Sequence, residues 1–475
     1  MARAMRTNNP SEWTALDGIY IDEINPPGKV TNLGSAVVAL IGAFQMGPYD
    51  PTTIGSSKQL LSTFGSGNYD GFKCLNGKTF TNLVVTRVAG TSKKAAFGTL
   101  MDGASTPTAS MVVTAKYEGS YGNVMTAKVL TATSAAADAV NILVSYGTTT
   151  ELFENVTLAG LATAKVGDLA TITKADGATA ISVLNQVVTL AQGSDGTVAT
   201  ADYVTALEKL EGYDGVTIVI ADNPTEDINL ALIAHCNKMG DRVPVLALPK
   251  GTTKSAAITA IANLRSAGDR GILVWPWLYQ YNMYTDKTEL SNPSAWAAAL
   301  ICQIPEEWDP AIADGAKYIT GVKGLEFPNL NRQDYIELKN AGIMAFEFDK
   351  DIGYKVKSGV TMSTNAALCM VFRRRMSDRI TTEIGVALKP YQNKIMTDDT
   401  EADCLGAVTR YLQDYKDKKR IKAYKVDGES MNTDTSRANG EFHILILVQL
   451  FSSMRYIVLH AQIGETVLIT EGGAE

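Results

Sequence analysis

Between Thr200 and Trp275 the apolar positions switch regularly between two periods. Tyr203, Leu207 and Leu210 fall on one helical face, and Val216–Ile220 is an unbroken apolar run of strand length. A helix over Ile228–Met239, a strand over Val243–Leu248, a helix over Ala256–Ala267 and a strand over Gly271–Trp275 follow. This alternation implies a mainly parallel sheet covered by helices. Upstream, Gly18–Ile24 reads as a short strand, Pro26–Gly28 as a turn, and Ala36–Phe44 and Leu83–Val88 as further apolar strands. Met1–Leu16 has no apolar face of its own and is expected to be an arm.

Between Gly90 and Thr200 the composition shifts to Ala, Thr, Ser, Val and Gly, which favours strands, one of them over Val124–Leu130. After Tyr354–Met362 the pattern predicts a helix from Asn365 to Ala387, stopped by Pro390. A second helix is predicted near Thr400–Tyr415, burying Leu405, Val408, Tyr411, Leu412 and Tyr415, with Asp398, Asp399 or Thr400 as its cap. Two strands close the pattern, Glu441–Leu450 and Arg455–Ile463, joined by Phe451–Met454. Ile444–Val448 is apolar on both faces and predicts a strand covered on both sides, whereas Ile457, Leu459, Ala461 and Ile463 alternate.

The expected organisation is α/β and α+β multidomain. An N-terminal arm (1–17) precedes the first part of the core (18–90), an inserted β-rich domain (91–200) and a central α/β domain (201–350). A C-terminal domain of helices plus a small sheet (351–463) and a C-terminal arm (464–475) follow. A chain of 475 residues is too long for one ordinary core, and its 45% hydrophobic and 20% charged content fits folded modules. No run has membrane-spanning length, and Met1–Asn9 lacks the apolar core of a signal peptide, so folding in a cytoplasm is expected.

Charge changes the picture more than composition does. The chain carries −7 overall, yet Lys350–Lys425 holds 16 Lys and Arg against 9 Asp and Glu, leaving −14 on the remainder. Such segregation can steer association between complementary surfaces, and a solvated face explains it too. The run Arg373, Arg374 and Arg375 and the cluster Lys416, Lys418, Lys419, Arg420, Lys422 and Lys425 are its densest parts. No repeated aromatic-interleaved basic motif of the nucleic-acid-binding kind accompanies them, and the chain as a whole is acidic.

Signals for chemistry are weak. The three histidines, His235, His443 and His460, show no metal-binding spacing, and there is no Gly-x-Ser-x-Gly elbow. Pro249–Ser255 follows a strand and places Lys254 and Ser255 at a helix start, but Thr253 and Leu248 stand where a P-loop needs glycine. Glu306-Glu307, Asp349/Asp351 and Asp398-Asp399 read as loop or cap acids, and Trp275–Tyr279 as core or subunit contact. Cys74, Cys236, Cys302, Cys369 and Cys404 form no Cys-x-x-Cys pair and read as reduced structural thiols.

One order of segments carries a resemblance. Ala297–Ala299, Trp308–Ala311, Ile319–Leu325, Leu338–Ile343 and Gly353–Ser363 follow one another as in the contractile-tail sheath proteins of phages. Gly18–Ile24, Gly42–Pro51, Phe64-Gly65, Leu83–Val88, Ala115–Asn123 and Gln192–Gly196 extend it, with a gap at about Val129 to Gln192. The resemblance implies a structural, non-enzymatic subunit of the virion tail, assembled in the host cytoplasm as stacked rings and contracting to drive a tube through the host envelope. It implies neighbouring copies, a tail tube protein, and baseplate and tail terminator proteins as partners. It implies no cofactor, metal, small-molecule substrate, direct nucleic-acid contact or membrane insertion. Arg373, Arg374, Arg375, Lys418, Lys419 and Arg420 then become tube-facing candidates. Ile444, Ile446, Val448, Ile457, Leu459 and Ile463 become candidates for strands shared between subunits. The rival expectations are an α/β enzyme using Thr200–Trp275 as a ligand-binding half, or another virion structural protein.

Overall fold

The computed structural model describes residues 36–65, 83–134, 138–282, 286–313, 319 and 321–455, with the backbone of two short parallel strands, Met5–Arg6 and Tyr20–Ile21. The turn at Pro26–Gly28, Cys74, His460, the predicted strand Arg455–Ile463 beyond its first residue and the arm 464–475 lie outside the described residues.

Apolar runs in two distant parts of the chain meet in one eight-stranded sheet. Its order is Gly353–Val356, Ile343–Asp349, Ile272–Trp275, Val243–Ala247, Val216–Ala221, Val37–Gly42, Leu83–Arg87 and Thr52–Ile54. The six inner strands run parallel and the two edge strands antiparallel. The 18–90 and 201–350 segments therefore share one sheet, which the strand Gly353–Val356 also joins.

Both faces of this sheet are covered, the physical reason its strands are apolar throughout. On one face Leu40, Val85, Ile220, Val245, Val274 and Phe346 pack against the helix Pro293–Gln303. On the other, Ile41, Val84, Val219, Leu246 and Leu273 meet the helices Thr200–Glu211, Glu226–Met239 and Lys254–Leu264.

The inserted domain contains two four-stranded antiparallel sheets. Leu100, Met111, Val113, Val129, Ile142, Val144 and Ile172 form its separate core. The segments entering and leaving it run side by side, bridged at Thr91–Thr197, Lys94–Ser194 and Phe97–Ala191. The glycine-rich Gln192–Gly196 segment is part of this return.

The C-terminal unit consists of helices Val371–Leu388 and Asp398–Asp417 over a two-stranded sheet. Met376, Ile380, Ile384, Val408, Leu412, Tyr415 and Ile421 form a core that shares no residue with the body. Three details differ from expectation. The first helix starts at Val371 rather than Asn365, because Thr361 captures the intervening backbone: its N–H donates to Cys369 O at 3.0 Å and its hydroxyl to Leu368 O at 2.8 Å. The second helix is capped by Thr397, whose Oγ1 accepts from the Thr400 N–H at 3.2 Å. The strand Leu445–Leu450 pairs antiparallel with Ile421–Asp427, a strand the charge-rich sequence concealed.

Candidate assembly surfaces and the domain junction

The three consecutive arginines at the start of the first C-terminal helix point in different directions, as helical geometry requires. Arg374 is 2% and Arg375 8% exposed. Arg374 holds the Asp378 carboxylate one turn on, which also receives Arg270 Nη1 from the body at 2.8 Å. Arg375 donates to the Ile304 and Pro305 carbonyls at 3.3 Å each. Only Arg373 lies towards solvent, donating to Ala366 O at 2.9 Å. Reading the run as one solvated basic face is thus corrected for Arg374 and Arg375, which are internal.

Arg420 is internal as well. Its Nη2 lies 2.9 Å from Glu306 Oε2 and 2.7 Å from Glu307 Oε2, and its Nη1 donates to the Tyr415 hydroxyl at 2.9 Å. Arg379 pairs with the other Glu306 oxygen and, at 3.2 Å, with Glu383, which accepts from the Tyr411 hydroxyl at 2.6 Å. Glu306 and Glu307, expected as loop or cap acids, do lie in a loop and form the body's half of an ionic junction there. Burial works against the Glu306 charge, and the guanidinium groups of Arg375, Arg379 and Arg420 outweigh it, holding the carboxyl below its usual range. Lys355 and Lys357 likewise pair with Glu347, at 3.6 and 2.7 Å. A good part of the basic surplus is therefore spent neutralising acids of the same chain. Lys418, paired with Asp414 at 2.7 Å, Lys419, Lys416, Lys422 and Lys425 remain on the surface.

The strand expected to be covered on both sides is covered on one. Ile444, Ile446, Val448 and Leu450 pack onto the helical core, while Leu447 is 47% exposed. Among the described residues its sheet has two strands, so each has an edge with no further strand on it. Ile457, Leu459 and Ile463 lie outside the described residues.

Arg87, at the end of Leu83–Arg87, fixes a second junction that the charge pattern did not reveal. Its guanidinium is buried and donates to the carbonyls of Phe44, Gln45, Gly47 and Glu118 at 2.8–3.3 Å, tying the sheet's loop to the inserted domain.

The other candidates are structural. Lys254 is engaged by Asp334 and Glu337 at 2.6 Å each, and Thr253 caps its helix. Trp275 stacks on Phe327 at 5.2 Å, and the Trp277 indole donates to Leu248 O at 2.7 Å. Asp351 N–H donates to Asp349 at 3.0 Å, and Asp398 and Asp399 occupy a first helical turn. His235 lies 3.0 Å from Arg242, buried, and His443 precedes its strand, 3.4 Å from Glu441. Cys236, Cys302, Cys369 and Cys404 are free thiols, and burial pushes that of Cys302 up to about 12. Among the described residues no cluster of His, Cys, Asp and Glu could hold a metal, and no helix is long and apolar enough to cross a membrane.

Separate cores of the body, the inserted domain and the C-terminal unit, joined by buried arginines, define a multidomain α/β protein. Residues 196–362 match the family described as the phage tail sheath protein central domain. The fold is shared with the sheath tail protein of Desulfitobacterium hafniense, at TM-score 0.61 and 14% identity over 91% of this chain and 100% of that one. The Listeria innocua sheath tail protein gives 0.62 and 17% over 89% and 96%. The contracted helical sheath of the anti-feeding prophage gives 0.57 and 13% over 94% and 98%. No curated protein matches. Residues 196–362 thus carry a phage tail sheath central domain, set within a fold that the solved sheath proteins share.

Proposed function

We propose that this chain is the repeating subunit of a contractile sheath, polymerising as stacked rings around a tail tube and shortening without nucleotide, metal or catalysis. The observation that carries the reading is the family match over 196–362 within a fold shared along nine-tenths of the chain. Baseplate and terminator proteins would bound the polymer, and assembly would take place in the host cytoplasm.

The small C-terminal sheet supports an assembly role for physical reasons. An edge strand presents unsatisfied N–H and C=O groups and is a template for a strand from another chain. The Leu445–Leu450 pair is such a template, and the terminal segments 1–17 and 464–475 are the proposed donors. Strand addition would keep neighbours tethered while subunits rotate. For the tube, the surface left to it is Arg373, Lys418 and Lys419, and the proposed partner face is acidic. Negative-stain microscopy of the purified protein tests the reading: rings or tubes are expected, and a particle that stays monomeric at high concentration contradicts it.

A further inference from the structure

The body and the C-terminal unit share apolar packing at Val371, the first residue of the unit's first helix, which is buried in the body core; beyond that residue their cores are separate and the groups that join them are largely ionic. Glu306 and Glu307 follow the buried helix Pro293–Gln303 of the body, while Arg379 comes from the middle of the C-terminal unit's first helix and Arg420 from the turn just after its second. Arg270, at the start of a body strand, reaches Asp378 on the same C-terminal helix. The connecting chain is itself fastened to the body: Arg265 Nε donates to Met362 O at 2.7 Å, and the Ser363 hydroxyl donates to Asp269. Beyond Ser363 the covalent link to the first helix is the loop 364–370.

Buried ion pairs contribute little net stability over apolar packing, since desolvation offsets attraction, but they impose direction. A forked guanidinium fits a carboxylate in few orientations, and here one guanidinium spans two carboxylates on adjacent residues. An apolar interface would tolerate sliding that this one does not.

We propose that the Glu306–Glu307–Arg379–Arg420 cluster, with Arg270–Asp378–Arg374 beside it, is an orientational lock. It fixes the angle of the C-terminal unit on the α/β body so that the two move as one lever. Without it the unit keeps its own core and swivels about the start of its first helix, where Val371 stays in the body core and the preceding loop stays tied to Gly359–Thr361. The lock is a property of the single chain; its consequence in a polymer, a uniform subunit shape through contraction, rests on the sheath reading.

Hydrogen–deuterium exchange on the full-length protein tests it, comparing wild type with Glu306→Gln/Glu307→Gln. Exchange at 304–309 is expected to rise roughly tenfold or more, the scale of one lost charge-assisted hydrogen bond. Amides inside Val371–Leu388 and Asp398–Asp417 should keep their wild-type rates. Unchanged rates at the junction, or rates rising equally in both helices, would overturn the lock and leave a passive contact or a plain stability element. If the double variant does not fold, Glu307→Gln alone, which leaves Arg420 its Glu306 contact, must show the same selective rise. Microscopy of the same samples keeps the two readings apart: variant polymers with a loosened junction separate the lock from assembly, and absence of polymers in wild type counts against the sheath reading alone.

Discussion

Removing the Asp378 carboxylate should cost more than removing either arginine that binds it. Arg270 Nη1 lies 2.8 Å from Asp378 Oδ1, Arg374 binds the same carboxylate, and all three residues are at most 5% exposed. In Asp378→Ala two buried guanidinium groups lose this shared counter-ion and face each other, so the cost should sit at or above the upper part of the roughly 3–5 kcal/mol seen when a buried pair is broken. In Arg374→Ala the carboxylate keeps Arg270, and the loss falls towards about 1.5–3 kcal/mol, that of hydrogen bonds to a charged group. Against a typical domain stability of about 5–15 kcal/mol the first is severe and the second tolerable. Urea denaturation under conditions that prevent polymerisation, followed by circular dichroism, reads the order through the midpoints. A midpoint for Asp378→Ala equal to wild type, or above that of Arg374→Ala, would refute the reasoning.

Acid should open the ionic junction. The folded Glu306 carboxyl titrates below its ordinary value, so its stabilisation is present above the unfolded pKa and disappears as pH falls through the folded one. Asp309 opposes this: burial chiefly raises its pKa, so protonation there favours the folded form as pH falls. The expected result is a midpoint that falls as pH drops through the carboxylate range, with a smaller fall in Glu306→Gln/Glu307→Gln, where Asp334, Glu337, Asp349 and Asp427, also held below their ordinary values, still titrate; a fall of equal size in the variant contradicts the assignment. At the surface, the triple reversal Arg373→Glu/Lys418→Glu/Lys419→Glu should leave stability within about 0.5 kcal/mol while weakening co-sedimentation with an acidic tube, an effect that added salt reproduces in wild type. Equal binding by both proteins at low salt would remove these residues from the tube interface.

Much of the sheet was legible because its strands are short and apolar and its helices long and periodic. Val216–Ala221, Val243–Ala247 and Ile272–Trp275 lie within a residue of expectation. The helix Pro293–Gln303 left no periodic signal, since Ala295 to Ile301 are buried on every side and period needs a polar face. The Asn365–Met370 segment looks helical by composition, but Asn365 Oδ1 accepts from the Ala367 N–H at 3.0 Å in a local turn, a competition that propensity does not weigh.

The charged residues were the hardest to read. Arg373, Arg374 and Arg375 are indistinguishable in sequence, and their fates differ because successive helical positions point about 100° apart. The partners of Arg379 and Arg420 lie more than seventy residues away, at Glu306 and Glu307, so the surplus of one segment and the acids of another looked like two surfaces and are partly one junction. Leu447 reads as core for the converse reason: its exposure depends on what the small sheet lacks on that side within one chain.

Microscopy of the full-length protein beside forms lacking residues 1–16 or everything after Ile463 is the most direct test of the account. The full chain is predicted to form rings or tubes, and each truncated form to remain a folded monomer because it lacks a strand for its neighbour. Full-length protein that never polymerises would contradict the sheath role, and truncated forms that polymerise as wild type would contradict strand exchange as the tether.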